Sequence, residues 1–549
     1  MGKLGSIATA ARQKASDKAF EIKVLREAGI LGLHRPDESL KVVTTFLRWG
    51  ASPATGIKTA AIHYPHETAL IDERGSLSFE QVHRRSNALA RAFERMGIGY
   101  GDGIGIMCRN HRGFIEATLA AAKLGASALY LNTMFAGPQL VEVTRREGPK
   151  VLVYDEEFSD LLGDVEESVQ RVVGWVDGEP AAPTLDSLIA SAGDADLKPP
   201  PDKPRFVILT SGTTGTPKGA QRSSPDGLLA MAALIDKIPY RSRDTMMVAA
   251  PLFHSWGFFH FVMSLPTAST LVLRRRFDPE ETLRAVQEHR AQVLAVVPVM
   301  LQRILQLPEE TLAAHDLSSL RITSLSGSAL PGELAIEWMD RFGDTIYNLY
   351  GSTEVAYATV ATPADLRVAP GSAGRPPRGT VVRLYDEQGR EVPRGEVGRI
   401  FVGNEMSFEG YTGGGGKEVI DGLLSSGDVG HLDAGGHLFV DGRDDEMIVS
   451  GGENVFPREV EDLLADHDAV VEVAVIGVDD DEYGQRLKAF VVVAENAEVS
   501  EEELKSHVKA NLAGYKAPRE VEFMDELPRN ATGKILKREL HAREAEKSA

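Results

Sequence analysis

Apolar bursts recur along the chain with helix-like stretches between them. Val293-Leu294-Ala295-Val296-Val297 follows an amphipathic run from Pro279 to Arg290. Arg321-Ile322-Thr323-Ser324-Leu325 leads into a Gly/Ser turn, and Thr345-Ile346-Tyr347-Asn348-Leu349-Tyr350 leads into Gly351. Strand, turn and helix in alternation predict α/β layers whose loops gather at the strand ends, where ligands usually sit. The texture changes after Asp441-Gly442-Arg443-Asp444-Asp445. Pro457 opens a helix with Val460, Leu463 and Leu464 on one face, Val471 to Val478 alternates like a strand, and Ser500 with Glu503 has the form of a capping box for a helix through Leu512. These signals predict a large N-terminal body of strand–helix subdomains and a small α+β domain at the C-terminus. The expected divisions are a basic extension over 1–50, the body over 51–444 and the small domain over 445–549.

With 549 residues the chain is too long for one core. Its 43% hydrophobic and 26% charged residues are those of a globular chain rather than a disordered one. A formal charge of −20 repels a phosphate polymer, so nucleic acid is excluded as the main partner. Cys108 is the only cysteine, so no disulfide can form within the chain, which fits a reducing, cytoplasmic setting. Thr245 to Leu273 carries no formal charge. Pro251 and Pro266 interrupt it and its His, Ser and Thr side chains would need partners in hydrocarbon, so it reads as a buried, aromatic-rich pocket wall. One zone departs from the acidic average: up to Trp49 there are nine basic residues against five acidic ones, a balance of +4. A solvated helical face is the plainer reading; weak attraction to anionic lipid headgroups is the sharper one.

Chemistry concentrates in Leu209-Thr210-Ser211-Gly212-Thr213-Thr214-Gly215-Thr216-Pro217-Lys218-Gly219, which follows a predicted strand over Arg205 to Leu209. Glycines free the backbone to turn its N–H groups outward, and hydroxyls with Lys218 add donors and positive charge, which is what a polyphosphate needs. The Walker spacing is absent here, and Gly416-Lys417 fails it too. Together with Tyr350-Gly351-Ser352-Thr353-Glu354, Ser426-Gly427-Asp428, Gly442-Arg443 and Asn530-Ala531-Thr532-Gly533-Lys534-Ile535, this loop resembles the acyl-adenylate-forming superfamily, and within it the fatty acyl-CoA synthetases. Five motifs stand in that family's order and approximate spacing over roughly residues 60 to 540.

The resemblance implies roles. Thr210, Ser211, Gly212, Thr213, Thr214, Gly215 and Lys218 would hold ATP phosphates, and Glu354 with the Thr210 hydroxyl would hold Mg²⁺. Gly327-Ser328-Ala329 and Tyr350-Gly351-Ser352-Thr353 would enclose the base, with Asp428 and Arg443 on the ribose and phosphate. Lys534 would be the mobile lysine that bridges carboxylate and α-phosphate. Asp445 would be the hinge of a mobile C-terminal domain, and Ser450-Gly451-Gly452 would line a pantetheine channel. His254 would lie beside the carboxylate, with Phe253, Trp256, Phe258, Phe259 and Met263 forming an acyl pocket.

The implied reaction has two steps: a medium- or long-chain fatty carboxylate attacks the α-phosphorus of ATP, then the CoA thiol attacks the acyl-AMP. Fatty acid, ATP and CoA are the implied partners, and peripheral membrane association and a homodimer are left open. An aryl-CoA ligase and a ligase loading a carrier protein are the alternatives within the superfamily. The chain ends fifteen residues after Lys534, so no fused carrier domain is expected. A non-catalytic nucleotide- or lipid-binding protein is the alternative from another class, but it would not need to keep Lys534 and Glu354. There is no HExxH, paired CxxC or GxSxG, so zinc protease, structural zinc and α/β-hydrolase readings lack support.

Overall fold

The structure is a computed structural model that describes residues 2–32, 34–202, 204–210, 218–222, 227–406, 408–411, 416–446, 448–450, 453–480, 484–495, 497–512, 514–530 and 533–548. Ser211, Gly212, Thr213, Thr214, Gly215, Gly451 and Gly452 lie outside these residues. For Thr210, Lys218, Asp445 and Ser450 only the backbone is described.

Near-continuous apolar runs need cover on both faces, and they form the centres of two mixed sheets. In the first, Ile346–Tyr350, Ile322–Leu325, Val293–Val296, Thr245–Val248, Thr270–Leu273 and Thr68–Asp72 run parallel, with Thr359–Ala361 and Gly75–Ser78 added antiparallel at the edges. The strand Val293–Val296 is buried at every position, as is Ile322–Leu325. The second sheet has seven strands, among them Phe206–Thr210, Lys218–Arg222 and Phe408–Tyr411 at one side. A five-stranded antiparallel sheet follows, containing Gly398–Gly403, Leu423–Leu432 and Leu438–Arg443.

The uncharged stretch crosses no membrane. It forms strand Thr245–Val248, helix Ser255–Ser264 and strand Thr270–Leu273 inside the first sheet's layer. No helix among the described residues is long and apolar enough to span a bilayer. The N-terminal residues form helices α1 (Gly2–Glu27), α2 (Pro36–Trp49) and α3 (Pro53–His63). The extension is no free tail, because Val24, Leu25 and Ala28 are buried in the main core.

The chain leaves the five-stranded sheet at Arg443, makes a short turn over Asp444–Glu446 and enters a separate sheet at Ile448–Ser450. That sheet holds Val470–Asp480, Gly484–Val493 and Glu520–Phe523, packed on helices Pro457–Ala465 and Glu501–Asn511 around a core of its own. The Ser500 hydroxyl accepts from the Glu503 amide at 3.2 Å, so the predicted cap forms.

Candidate active site

One cavity of about 2340 Å³ lies between the strand ends of the first sheet, the five-stranded sheet and the small lobe. His254, Gly327, Ser328, Ala329, Tyr350, Gly351, Ser352, Thr353, Glu354, Asp428, Arg443 and Lys534 all line it. Residues scattered over almost three hundred positions therefore converge on one cavity.

Gly351 sits where the chain doubles back. A Cβ there would lie 2.2 Å from the Ala356 carbonyl oxygen, so only glycine fits. The tight turn presents Glu354 to the cavity. Its Oε1 accepts from the Tyr411 hydroxyl at 2.7 Å and its Oε2 from the Ser352 hydroxyl at 2.9 Å. The Ser352 oxygen in turn accepts from the amides of Glu354 and Val355, at 3.2 and 3.3 Å. The carboxylate is oriented by neutral hydroxyls and keeps lone pairs for a hard cation, so the donor set fits Mg²⁺. Burial, followed by the Glu354 charge, raises the Tyr411 hydroxyl well above its ordinary pKa, so it stays a donor.

Asp428 and Arg443 face each other in register on adjacent strands. Arg443 Nη1 donates to Asp428 Oδ1 at 3.2 Å, and the Tyr350 hydroxyl donates to Oδ2 at 2.6 Å. This ion pair is a wall of the cavity rather than a surface feature. Burial raises the Asp428 pKa while Arg443, Tyr350 and Lys534 oppose that rise. Lys417, which fails as a Walker lysine, also lines the cavity. Its Nζ lies 3.0 Å from where a Cβ on Gly427 would stand, and Arg443 nitrogens lie 3.2 Å from the same point. Two cations crowd one glycine at φ +81°, next to Asp428.

His254 precedes helix Ser255–Ser264 and makes no side-chain cap there. Its Nε2 is buried without a hydrogen-bond partner among the described residues, and burial pushes its pKa down to about 4, so it is neutral at ordinary pH. His260 is held down to about 4 by burial as well, but it is satisfied by the Tyr240 hydroxyl and the Trp256 carbonyl. Trp256, Phe258 and Phe259 line the cavity. Trp256 stacks on Phe259 at 5.4 Å and donates its indole N–H to the Val296 carbonyl, which fixes the wall. Phe253 is a correction: it is buried in the main core beside His254 and is not among the cavity's walls. Phe253 precedes the helix, in the turn where the His254 amide donates to the Pro251 carbonyl, and its ring goes into the core.

Thr210 and Lys218 pair in register across adjacent strands and bracket the glycine-rich loop. Lys534 follows Gly533, whose φ of +76° allows a turn closed by the Asn530 amide on the Lys534 carbonyl, and by the Lys534 amide on Asn530 Oδ1, both at 2.9 Å. A Cβ on Gly533 would lie 2.1 Å from Val299 Cγ1, so this turn is pressed against the large lobe. Gln302 adds a second contact, donating to the Val471 carbonyl at 3.2 Å. Ser450 stands in the small lobe's sheet, paired with Glu453 and Gly484, and does not line the cavity in this pose.

The turn around Asp445 is tied on both sides. Asp444 accepts from Arg399 of the five-stranded sheet at 3.2 Å, whereas Glu446 pairs with Lys537 of the small lobe at 3.3 Å. The residue between them is where a pivot would fall.

The model of the AMP-binding enzyme family matches residues 57–412, and that of the AMP-binding enzyme C-terminal domain matches 459–534. The chain belongs to the AMP-binding enzyme family, within the superfamily of AMP-forming acyl- and aryl-CoA ligases. It is 35% identical to a feruloyl-CoA synthase of Amycolatopsis sp over 492 residues, 87% of this chain and 96% of that one. It is 31% identical to the fatty acid–[acyl-carrier-protein] ligase ScoC of Streptomyces coeruleorubidus over 506 residues, 89% and 96% of the two chains. The crystal structure of the anthranilate CoA ligase AuaEII in complex with anthranoyl-AMP superposes with a TM-score of 0.81 at 26% identity, covering 90% of this chain and 97% of that one.

Proposed function

We propose that this chain is an AMP-forming fatty acid–CoA ligase acting on medium- or long-chain acids. The observation that carries the reading is the reach of the cavity. Besides His254, its lining includes the apolar side chains of Phe258, Phe259, Val262 and Met231, and of Val42 and Phe46 of α2. A compact ring needs a short closed pocket, whereas an alkyl chain gains ~0.8 kcal/mol for each CH₂ it buries along such a wall.

In the first step a carboxylate oxygen attacks the α-phosphorus of ATP and pyrophosphate leaves. Lys534 offsets the negative charge that the two anions bring together. Tyr350, Asp428 and Arg443 position the nucleoside, and neutral His254 walls the carboxylate without drawing it into an ion pair. Glu354 with Thr210 would hold Mg²⁺, which neutralises polyphosphate charge when bound. In the second step the small lobe turns about Asp445, Lys534 withdraws and the stretch Ser450 to Gly452 approaches. The CoA sulfur then bonds to the acyl carbon, its proton is lost and AMP leaves.

A second reading, an aryl-CoA ligase, is favoured by the likeness to the feruloyl-CoA synthase and the anthranilate ligase. A panel of carboxylates assayed for CoA-dependent AMP release separates the two. The fatty acid reading expects turnover to rise with alkyl length. Preference for hydroxycinnamates or benzoates, or acyl-AMP that forms but is not discharged as AMP when CoA is added, would contradict it.

A further inference from the structure

Three chemistry-bearing side chains that the proposed reaction does not use meet beside the cavity. His34 stands in the connection between α1 and α2, Glu38 in the first turn of α2, and His63 ends α3. Helix α2 packs back on α3, which brings them together. The His34 and His63 rings stack with centroids 3.7 Å apart and planes 25° from parallel. His63 Nδ1 lies 3.7 Å from Glu38 Oε2, too far for a hydrogen bond. That nitrogen is buried and has no hydrogen-bond partner among the described residues. Among the same residues the one Lys or Arg within ion-pair reach of the Glu38 carboxylate is Arg35, at 4.0 Å. An unmade bond at a buried nitrogen is costly, and a cation between the two rings and the carboxylate would satisfy all three groups at once.

The geometry and the donor set both suit an ion. One ligand atom from each residue lies within 4.8 Å of the other two. Bonds of about 2.0 Å put ligand atoms ~3.3 Å apart around a tetrahedral ion, so the set closes by turning about side-chain torsions, with the rings leaving their stack. Burial, and then the His34 charge, hold the His63 pKa below its ordinary value, so at neutral pH its imidazole is in the uncharged, ligating form. Two imidazoles and one carboxylate suit Zn²⁺ rather than Mg²⁺ or Ca²⁺, which take oxygen, and three protein ligands leave a fourth position for water. The buried cluster of Cys108, His111 and Asp155 is spent by contrast. His111 Nε2 is bonded to Asp155 Oδ1 at 2.8 Å, and its Nδ1 accepts from the Gly113 amide at 3.0 Å.

We infer that His34, Glu38 and His63 form a Zn²⁺ site that clasps α2 and the connection before it onto the end of α3. His63 lines the cavity, as do Leu31, Val42 and Phe46 on the clasped elements. The ion therefore fixes the part of the cavity wall that the N-terminal helices supply. The site owes nothing to the choice between fatty and aromatic acids.

The test is calorimetric titration of the untagged, metal-stripped, full-length protein with ZnCl₂, in excess Mg²⁺ so that hard oxygen sites are filled. The wild type binds one Zn²⁺ per chain, and Co²⁺ in its place shows the visible absorption of a four-coordinate ion. His34→Ala and His63→Ala each weaken Zn²⁺ binding by at least the ~10–100-fold that loss of an outer-shell partner costs. Glu38→Gln keeps the side chain's size, weakens binding likewise, and decides the matter if a histidine variant folds poorly. Zn²⁺ raises the Tm of the wild type and leaves that of Glu38→Gln unmoved, because an ion held only by the folded clasp stabilises it by mass action. Absence of Zn²⁺ binding by the wild type overturns the site. Undiminished binding in any folded variant of the three overturns it too, because a three-ligand site cannot spare one.

Discussion

Glu354 owes its aim to a residue 57 positions away. Tyr411 holds one carboxylate oxygen and Ser352 the other. Tyr411→Phe removes one of these bonds without changing shape or charge. Losing a hydrogen bond that orients a metal-binding carboxylate typically costs about 10–100-fold in metal affinity or activity. Pyrophosphate exchange in that variant should therefore need more Mg²⁺ to saturate, while thermal stability stays close to wild type. An unchanged Mg²⁺ dependence would remove Tyr411 from the site. His254 makes a separate prediction in pH. Its pKa is held at about 4 against an ordinary 6.5, so between these values the unfolded chain binds a proton that the folded chain refuses. Its contribution is full above pH about 6.5 and is lost as pH falls toward about 4, by roughly 2–3 kcal/mol near pH 4.5. His254→Gln should flatten the fall of Tm with acidification relative to wild type; parallel curves would contradict the assigned burial.

At the scale of elements, Gly533 is the contact on which the pose turns. Its backbone is left-handed and its missing Cβ leaves room for Val299. Gly533→Ala should slow adenylate formation by tenfold or more, spare thioester formation from supplied acyl-AMP, and be partly rescued by Val299→Ala. Equal loss of both half-reactions would mean a misfolded turn instead. The elements themselves were largely legible in the sequence. Buried parallel strands such as Val293–Val296 are short unbroken apolar runs, and the small lobe announced itself through Pro457, Ser500 and the alternation from Val471. Pairings made by register were not legible. Nothing in the local pattern brings Tyr411 to Glu354 or sets Asp428 opposite Arg443 on a wall. Phe253 looked like pocket lining because composition counts rings without giving their direction.

The whole molecule is two lobes joined at a turn whose neighbours are anchored in opposite directions. Asp444 is bound to the large lobe and Glu446 to the small one. Asp445→Pro, which fixes φ between these anchors, should leave adenylate formation measurable and block CoA-dependent turnover. Undiminished turnover would place the pivot elsewhere. The central claim is that the small lobe brings Lys534 to the cavity for one half-reaction only. It is tested most directly by assaying Lys534→Ala in each half-reaction separately. The account predicts that ATP–pyrophosphate exchange is abolished while thioester formation from supplied acyl-AMP persists. Loss of both to the same extent, or exchange that survives without the amine, would contradict it.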